Sequence, residues 1–150
     1  MKVVAIQLGK VEFGISIDQV LSIEKIQPFT SLPNMPKYVR GVINLRGKVI
    51  PIIDLRVFLL GELANDDEEK NRIIVVHVDG TMIGLVADDA TDVIDISSEM
   101  VQQVAMVGEN KDTKVQIAKV EEKLLVLLDV NQLLSQEDLA ETLNEINIMM

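Results

Sequence analysis

Residues 41–55 read GVINLRGKVIPIIDL. An apolar run, Val42–Leu45, meets a charged turn, Arg46-Gly47-Lys48, and a second apolar run, Val49–Ile53, ends on Asp54. Two short β-prone segments around a tight Gly-containing turn predict a rigid β-hairpin. Nothing in the stretch is catalytic in type. It presents positive charge on an acidic chain. From Lys37 to Arg56 there are five basic residues (Lys37, Arg40, Arg46, Lys48, Arg56) and one acid, Asp54, so the window is 5 − 1 = +4. The whole chain is 14 − 24 = −10, which leaves −14 elsewhere. Two readings stand: a solvated basic face, or a docking patch whose charge steers an acidic partner and fixes its register.

Outward from the hairpin, the chain repeats itself. A displacement of 70 residues lays VVAIQLGKVEFGISIDQVLSIEKI on IIVVHVDGTMIGLVADDATDVIDI, with Gly14 on Gly84, Asp18 on Asp88 and Ile23 on Val93. A displacement of 75 lays VINLRGKVIPIIDLRVFLL on IAKVEEKLLVLLDVNQLLS, with Lys48 on Lys123 and Asp54 on Asp129. The second copy therefore carries a connection about five residues longer, between Ser97 and Val115. Matching Gly, Asp and Lys positions favour a duplication over chance apolar similarity.

Both copies follow one plan. Val4-Ile6-Leu8 and Val11-Phe13-Ile15-Ile17 alternate at period two around Gly9-Lys10, which predicts a hairpin. Asp79-Gly80 supplies the equivalent turn in copy two. A third strand is predicted near Val20–Ile26, and second hairpins at Val42–Leu45 with Val49–Ile53 and at Ile117–Val120 with Leu124–Leu128. Each second hairpin ends on an Asp placed to cap a short helix, Asp54 before LRVFLL and Asp129 before VNQLL. Five short strands per copy and a one-turn helix predict a mainly β protein of two small barrels, since closure removes exposed edges. About 60 residues make a marginal barrel, so the two are expected to share an aliphatic core, with a groove between them for a long partner.

The other segments are placed by composition. FTSLPNMP, Phe29–Pro36, predicts an extended ordered loop, NDDEEKN, Asn65–Asn71, an exposed acidic linker, and GENKDT, Gly108–Thr113, a polar turn. Ser135 and Asp138 suggest a capping-box-like start to a C-terminal helix whose Leu139, Leu143 and Ile146 form one apolar stripe. That stripe packs on the parent domain or docks on a partner; the sequence leaves both open.

Composition narrows function mainly by exclusion. Aromatics are only 3% and the net charge is −10, so stacking platforms and a polyanion-binding surface are both missing and no nucleic-acid partner is expected. With no cysteine, disulfides, thiolate nucleophiles and zinc–thiolate sites are excluded. The N-terminus MKVVAIQLGKVEFG alternates and is charged early, unlike a signal peptide, and no apolar run approaches the ~20 residues of a membrane helix. A cytoplasmic protein without direct membrane insertion is the expectation.

No motif carries chemistry. His77, the single histidine, sits in the strand RIIVVHV at the position equivalent to Gln7 of the first copy and reads as a strand polar residue. Asp88, Asp89, Asp92 and Asp95 lack the spacing of a calcium loop. Gly9-Lys10 lacks the rest of a phosphate loop, and no Gly-x-Ser-x-Gly element occurs. No catalytic residue, metal or cofactor is expected, and an enzyme is the least favoured class.

GVINLRGKVIPIIDL resembles the signature segment of the CheW family, the coupling proteins of bacterial chemotaxis arrays. FGISIDQVLSIEKI, IGLVADDATDVIDI and KLLVLLDVNQLL extend the likeness over nearly the whole chain. The resemblance implies one CheW-like domain over 1–150 with two SH3-like five-stranded barrels. Lobe 1 would span about 12–65 plus exchanged terminal elements, lobe 2 about 66–134, and a C-terminal helix 135–148. It implies a non-catalytic adaptor between the cytoplasmic hairpin of a chemoreceptor and the regulatory domain of a histidine kinase, associated with membrane receptor arrays built from kinase–coupler rings. By resemblance, the receptor would contact Val20, Ser22, Arg46 and Ile73, and the kinase Arg40, Gly41, Met106 and Val107. Gly41 fits a position of unusual backbone angles or close approach. Many family members have an acid where Ser22 stands and a glycine near Ile117. Alternatives are a CheV-like or non-chemotactic coupling domain for another sensory kinase, or a small-ligand-binding barrel.

Overall fold

The computed structural model describes residues 1–63, 66–78, 80–105 and 114–149. The chain runs β1 (Lys2–Leu8), β2 (Val11–Ser16), β3 (Val20–Lys25), β4 (Val39–Leu45), β5 (Lys48–Asp54) and α1 (Leu55–Leu60). It continues through β6 (Arg72–Val78), β7 (Thr81–Ala87), β8 (Asp89–Asp95), β9 (Val101–Ala105), β10 (Lys114–Val120), β11 (Lys123–Leu128), α2 (Val130–Ser135) and α3 (Glu137–Met149). The protein is mainly β with two sheets and short helices, an arrangement consistent with two SH3-like barrels.

Hydrogen bonding cuts across the two sequence copies. One sheet has the order β3-β6-β7-β5-β4, the other β8-β1-β2-β11-β10-β9. Thus the β6–β7 hairpin of copy two completes the sheet of copy one, and the β1–β2 hairpin of copy one completes the other. Both insertions use the same joint, a three-residue parallel pairing: Ile52–Asp54 against Gly84–Val86, and Val126–Leu128 against Phe13–Ile15. Every other pairing is antiparallel.

Period-two alternation sends the apolar residues of β6 and of β1 to two different cores. In β6, Ile73 and Val75 join Ile43, Leu45, Ile50, Ile52 and Val86 inside the first sheet. In β1, Val3 and Ala5 join Ile96, Ala118 and Leu125 inside the second. The alternate residues, Ile74 and Val76 of β6 and Val4, Ile6 and Leu8 of β1, meet in a third core between the sheets. The expected shared aliphatic core is this third cluster. Gly84 lies on the inner face of the first sheet, where an added Cβ would sit 2.4 Å from Ile52 Cδ1 and 2.8 Å from Ile73 Cγ2.

Among the described residues the second copy has six strands rather than the expected five. Its additional strand, β9, pairs along β10 from Lys114 to Ala118. In the first copy the same place along β4 holds a single bridge, Thr30 to Val42, made by two backbone hydrogen bonds of 2.9 Å. The longer connection of copy two thus supplies strand where Phe29–Pro36 supplies only a contact. The expected Gly108–Thr113 turn and Asp79 lie outside the described residues.

The C-terminal stripe packs on the parent domain. Leu139 and Ile146 are fully buried and Leu143 nearly so, all within the core between the sheets. Polar contacts fix the helix: the Tyr38 hydroxyl lies 2.9 Å from Thr142 Oγ1 and donates to Asp138 Oδ2 at 3.2 Å, while the Tyr38 ring stands edge-on to Phe58 at 4.8 Å. The capping expectation at Ser135 is corrected. Ser135 is the last residue of α2, and its hydroxyl donates back to the Gln132 carbonyl at 3.0 Å.

Tyr38→Phe is expected to lower stability by about 1 kcal/mol, the scale of a buried hydrogen bond. A melting temperature about 2–4 °C lower by circular dichroism would show it. Burial also pushes the Tyr38 hydroxyl above its ordinary value of 10.0. The folded state favours the protonated phenol, so this contribution is complete below about pH 10 and fades as pH climbs through the raised value.

Candidate functional site

The GVINLRG hairpin forms as predicted. Leu45 pairs with Lys48, leaving Arg46 and Gly47 as a two-residue loop with φ of 50° and 88°. Left-handed conformation at both loop residues is the signature of the turn that matches strand twist. Gly47 N–H donates to Asn44 Oδ1 at 2.9 Å, which fixes the turn. Arg46 is thus held in a conformation that costs a non-glycine residue energy.

Arg46 reaches the far edge of its own sheet. Its Nη2 lies 3.3 Å from Glu24 Oε1 on β3. A flat five-stranded sheet would separate β3 and β4 by four spacings, about 19 Å. The ion pair therefore marks a sheet curled until its edges approach. Arg46 remains 72% exposed and Glu24 17%.

The four receptor-site expectations fall on this curled sheet with unequal exposure. Val20, Ser22 and Glu24 point inward from β3, while Leu21, Ile23 and Lys25 point outward. Val20 packs against the core between the sheets, and Ser22 Oγ is buried without a hydrogen-bond partner. Ile73, opposite Glu24 on β6, is fully buried. Of the four, only Arg46 offers a largely exposed side chain. Sequence reasoning missed Leu21 and Ile23, apolar yet 50% and 42% exposed on an edge strand. Their outward register was the available signal. It missed Glu24 as well, two residues from Ser22 on the same face.

Arg40 and Gly41, expected at the kinase, occupy β4 at the sheet's other edge. Arg40 Nη1 donates to Asp54 Oδ2 at 2.9 Å, Nη2 to Asp66 Oδ1 at 3.5 Å, and its Cζ stands 5.0 Å from the Phe29 ring centroid. Asp54, 2% exposed, also accepts from Val57 N–H as the cap of α1. Asp129 plays the capping part at α2, accepting from Asn131 N–H at 2.9 Å. Gly41 is buried with φ 131°, and an added Cβ would fall 2.2 Å from the Thr30 carbonyl oxygen. Met106 and Val107 lie outside the described residues.

The basic window is compensated internally. Arg56 contacts Asp88 at 2.6 Å and Glu62 at 3.0 Å, so all three of its arginines hold carboxylates. A free +4 patch is therefore not what the surface presents. Asp88 also accepts from Gly9 N–H at 2.7 Å, tying α1 to the β1–β2 turn. His77 is exposed on β6. The described residues contain no group of three His, Cys, Asp or Glu able to hold a metal ion. No helix among them is long and apolar enough to cross a membrane. A cavity of about 740 Å³ lies between the β6–β7 hairpin and α2–α3, lined by Thr81, Asn131, Gln132 and Asn144 among others. None of the expected contact residues lines it.

Comparison with known proteins places this architecture. The chain is 41% identical over 140 residues to the chemotaxis protein CheW of Bacillus subtilis (strain 168), covering 91% of this chain and 88% of that protein. It is 33% identical over 135 residues to the chemotaxis protein CheW of Klebsiella aerogenes, covering 89% and 81%. The crystal structure of the scaffolding protein TtCheW from Thermoanaerobacter tengcongensis superposes with a TM-score of 0.79 at 30% identity, covering 91% of this chain and 94% of that one. The family model described as CheW-like domain matches residues 2–138, and the chain belongs to the CheW-like domain family.

Proposed function

We propose that this protein is a non-catalytic adaptor of chemotaxis signalling. It couples the cytoplasmic hairpin of a chemoreceptor to the regulatory domain of a histidine kinase. The observation that carries the reading is the GVINLRG hairpin, which holds one exposed arginine in a strained turn on a chain of this family. Strained backbone persists where function needs it. The receptor lies against β3, where Leu21 and Ile23 supply apolar contact and Arg46 forks onto carboxylate or helix-terminal carbonyl oxygens. Val20, Ser22 and Ile73 support this strand from beneath. The kinase meets the opposite edge at Arg40 and Gly41, together with Met106 and Val107. The protein works in the cytoplasm at receptor arrays, in rings with the kinase, as a single two-lobed domain.

Arg46→Glu tests the receptor side. Co-sedimentation with a receptor tip is expected to weaken about tenfold, or about 1.4 kcal/mol. The unfolding midpoint should hardly move, because the side chain is exposed and its ion pair is of the weak surface kind. Unchanged receptor binding would remove Arg46 from the contact.

A further inference from the structure

We infer that Glu24 is a positioning residue for Arg46, setting the direction in which the guanidinium meets the receptor; this rests on the receptor reading above. Three observations carry it. First, the turn fixes only the backbone of Arg46, through φ of 50° and the Gly47–Asn44 hydrogen bond. Its long side chain, 72% exposed, would otherwise be free to sample many rotamers, and binding would have to order it.

Second, the contact engages only part of the guanidinium. One nitrogen, Nη2, meets one oxygen, Oε1, at 3.3 Å. Arginine carries five donors in a rigid fork, so the outer donors stay available while the plane is held. A partner acceptor therefore binds beside Glu24 without displacing it. Third, Glu24 is suited to holding rather than to binding. Its side chain is only 17% exposed, on the inward face of β3 opposite the buried Ile73, and Arg46 is the cation it meets. The pair also spans the curled sheet from β3 to the β4–β5 turn, so it fixes Arg46 against the strand whose opposite face carries Leu21 and Ile23.

A double-mutant cycle with a receptor cytoplasmic-tip fragment tests this, read as dissociation constants for the full-length chain, E24Q, R46A and E24Q/R46A. Glu24→Gln removes the charge and keeps the shape. The expected result is about threefold weaker receptor binding for E24Q, the scale of an exposed ion pair, and no further loss when E24Q is added to R46A. Kinase-domain binding by E24Q should stay at the parent value, which shows the variant is folded. If E24Q binds as tightly as the parent, or more tightly, while R46A is weakened, the positioning role is overturned and the receptor reading stands. An equal E24Q loss in both backgrounds would make Glu24 merely structural, which also overturns the inference. If R46A itself binds normally, the receptor reading fails and takes the inference with it.

Discussion

Gly41→Ala is expected to destabilise the protein by about 3–5 kcal/mol and to weaken both partner contacts together. The residue sits at φ 131°, a conformation that costs a side-chain-bearing residue about 1–3 kcal/mol. The new Cβ would also lie 2.2 Å from the Thr30 carbonyl oxygen and 2.8 Å from its carbon, atoms of a backbone that cannot rotate away. Thr30 would have to leave β4, breaking the two 2.9 Å hydrogen bonds it makes with Val42, each worth about 0.5–1.5 kcal/mol. Out of a total stability of about 5–15 kcal/mol this is a large fraction. Denaturant titration should give a lower midpoint at unchanged slope. A Gly41 variant that keeps full stability would contradict the clash with Thr30, and loss of kinase binding in such a variant would then report the proposed contact alone.

Leu139→Ala is the second large effect, expected at about 2–5 kcal/mol for a fully buried leucine. Its side chain belongs to the core between the sheets, where α3 also buries Leu143 and Ile146. A cavity there loosens the hold of α3 on Tyr38, which the helix contacts through Asp138 and Thr142. Tyr38 is the chain's single tyrosine and there is no tryptophan, so intrinsic fluorescence reports this contact directly. The tyrosine signal and the far-ultraviolet transition should both shift to lower denaturant. A tyrosine signal that shifts alone would mean α3 detaches locally while the sheets remain intact. No shift in either probe would contradict the role given to α3.

Much of the fold was legible in local pattern. Alternation marked β1 and β2 because Val4, Ile6, Leu8, Phe13 and Ile15 all face the core between the sheets, apolar runs around a tight turn marked β4 and β5, and Asp54 and Asp129 revealed themselves by standing before short apolar helices. The coincidence of Gly14 with Gly84 exposed the duplication. The hairpin exchange was not legible in the residue pattern, because the parallel joints of Phe13 to Val126 and Gly84 to Ile52 leave no period in the sequence; exchanged terminal elements entered through the resemblance alone. Nor did the stripe Leu139-Leu143-Ile146 say what it packs against, and the family match ends at residue 138, just inside α3.

The site was legible in identity and misleading in charge. Arg46 was found from its turn, but its partner lies 22 residues back on β3, and Arg56 meets Asp88 32 residues ahead. Counting charges along the chain therefore made a basic patch where folding makes ion pairs. Ser22 and Ile73 entered through resemblance alone, and only burial separates them from the exposed Leu21 and Ile23.

The central claim is that one small domain holds receptor and kinase at separate surfaces. Titration with a histidine kinase regulatory domain, a receptor cytoplasmic tip and both together tests it most directly. Binding to each, with a ternary complex when both are present, is the predicted result. Binding to neither, or strict competition between the two, would contradict it.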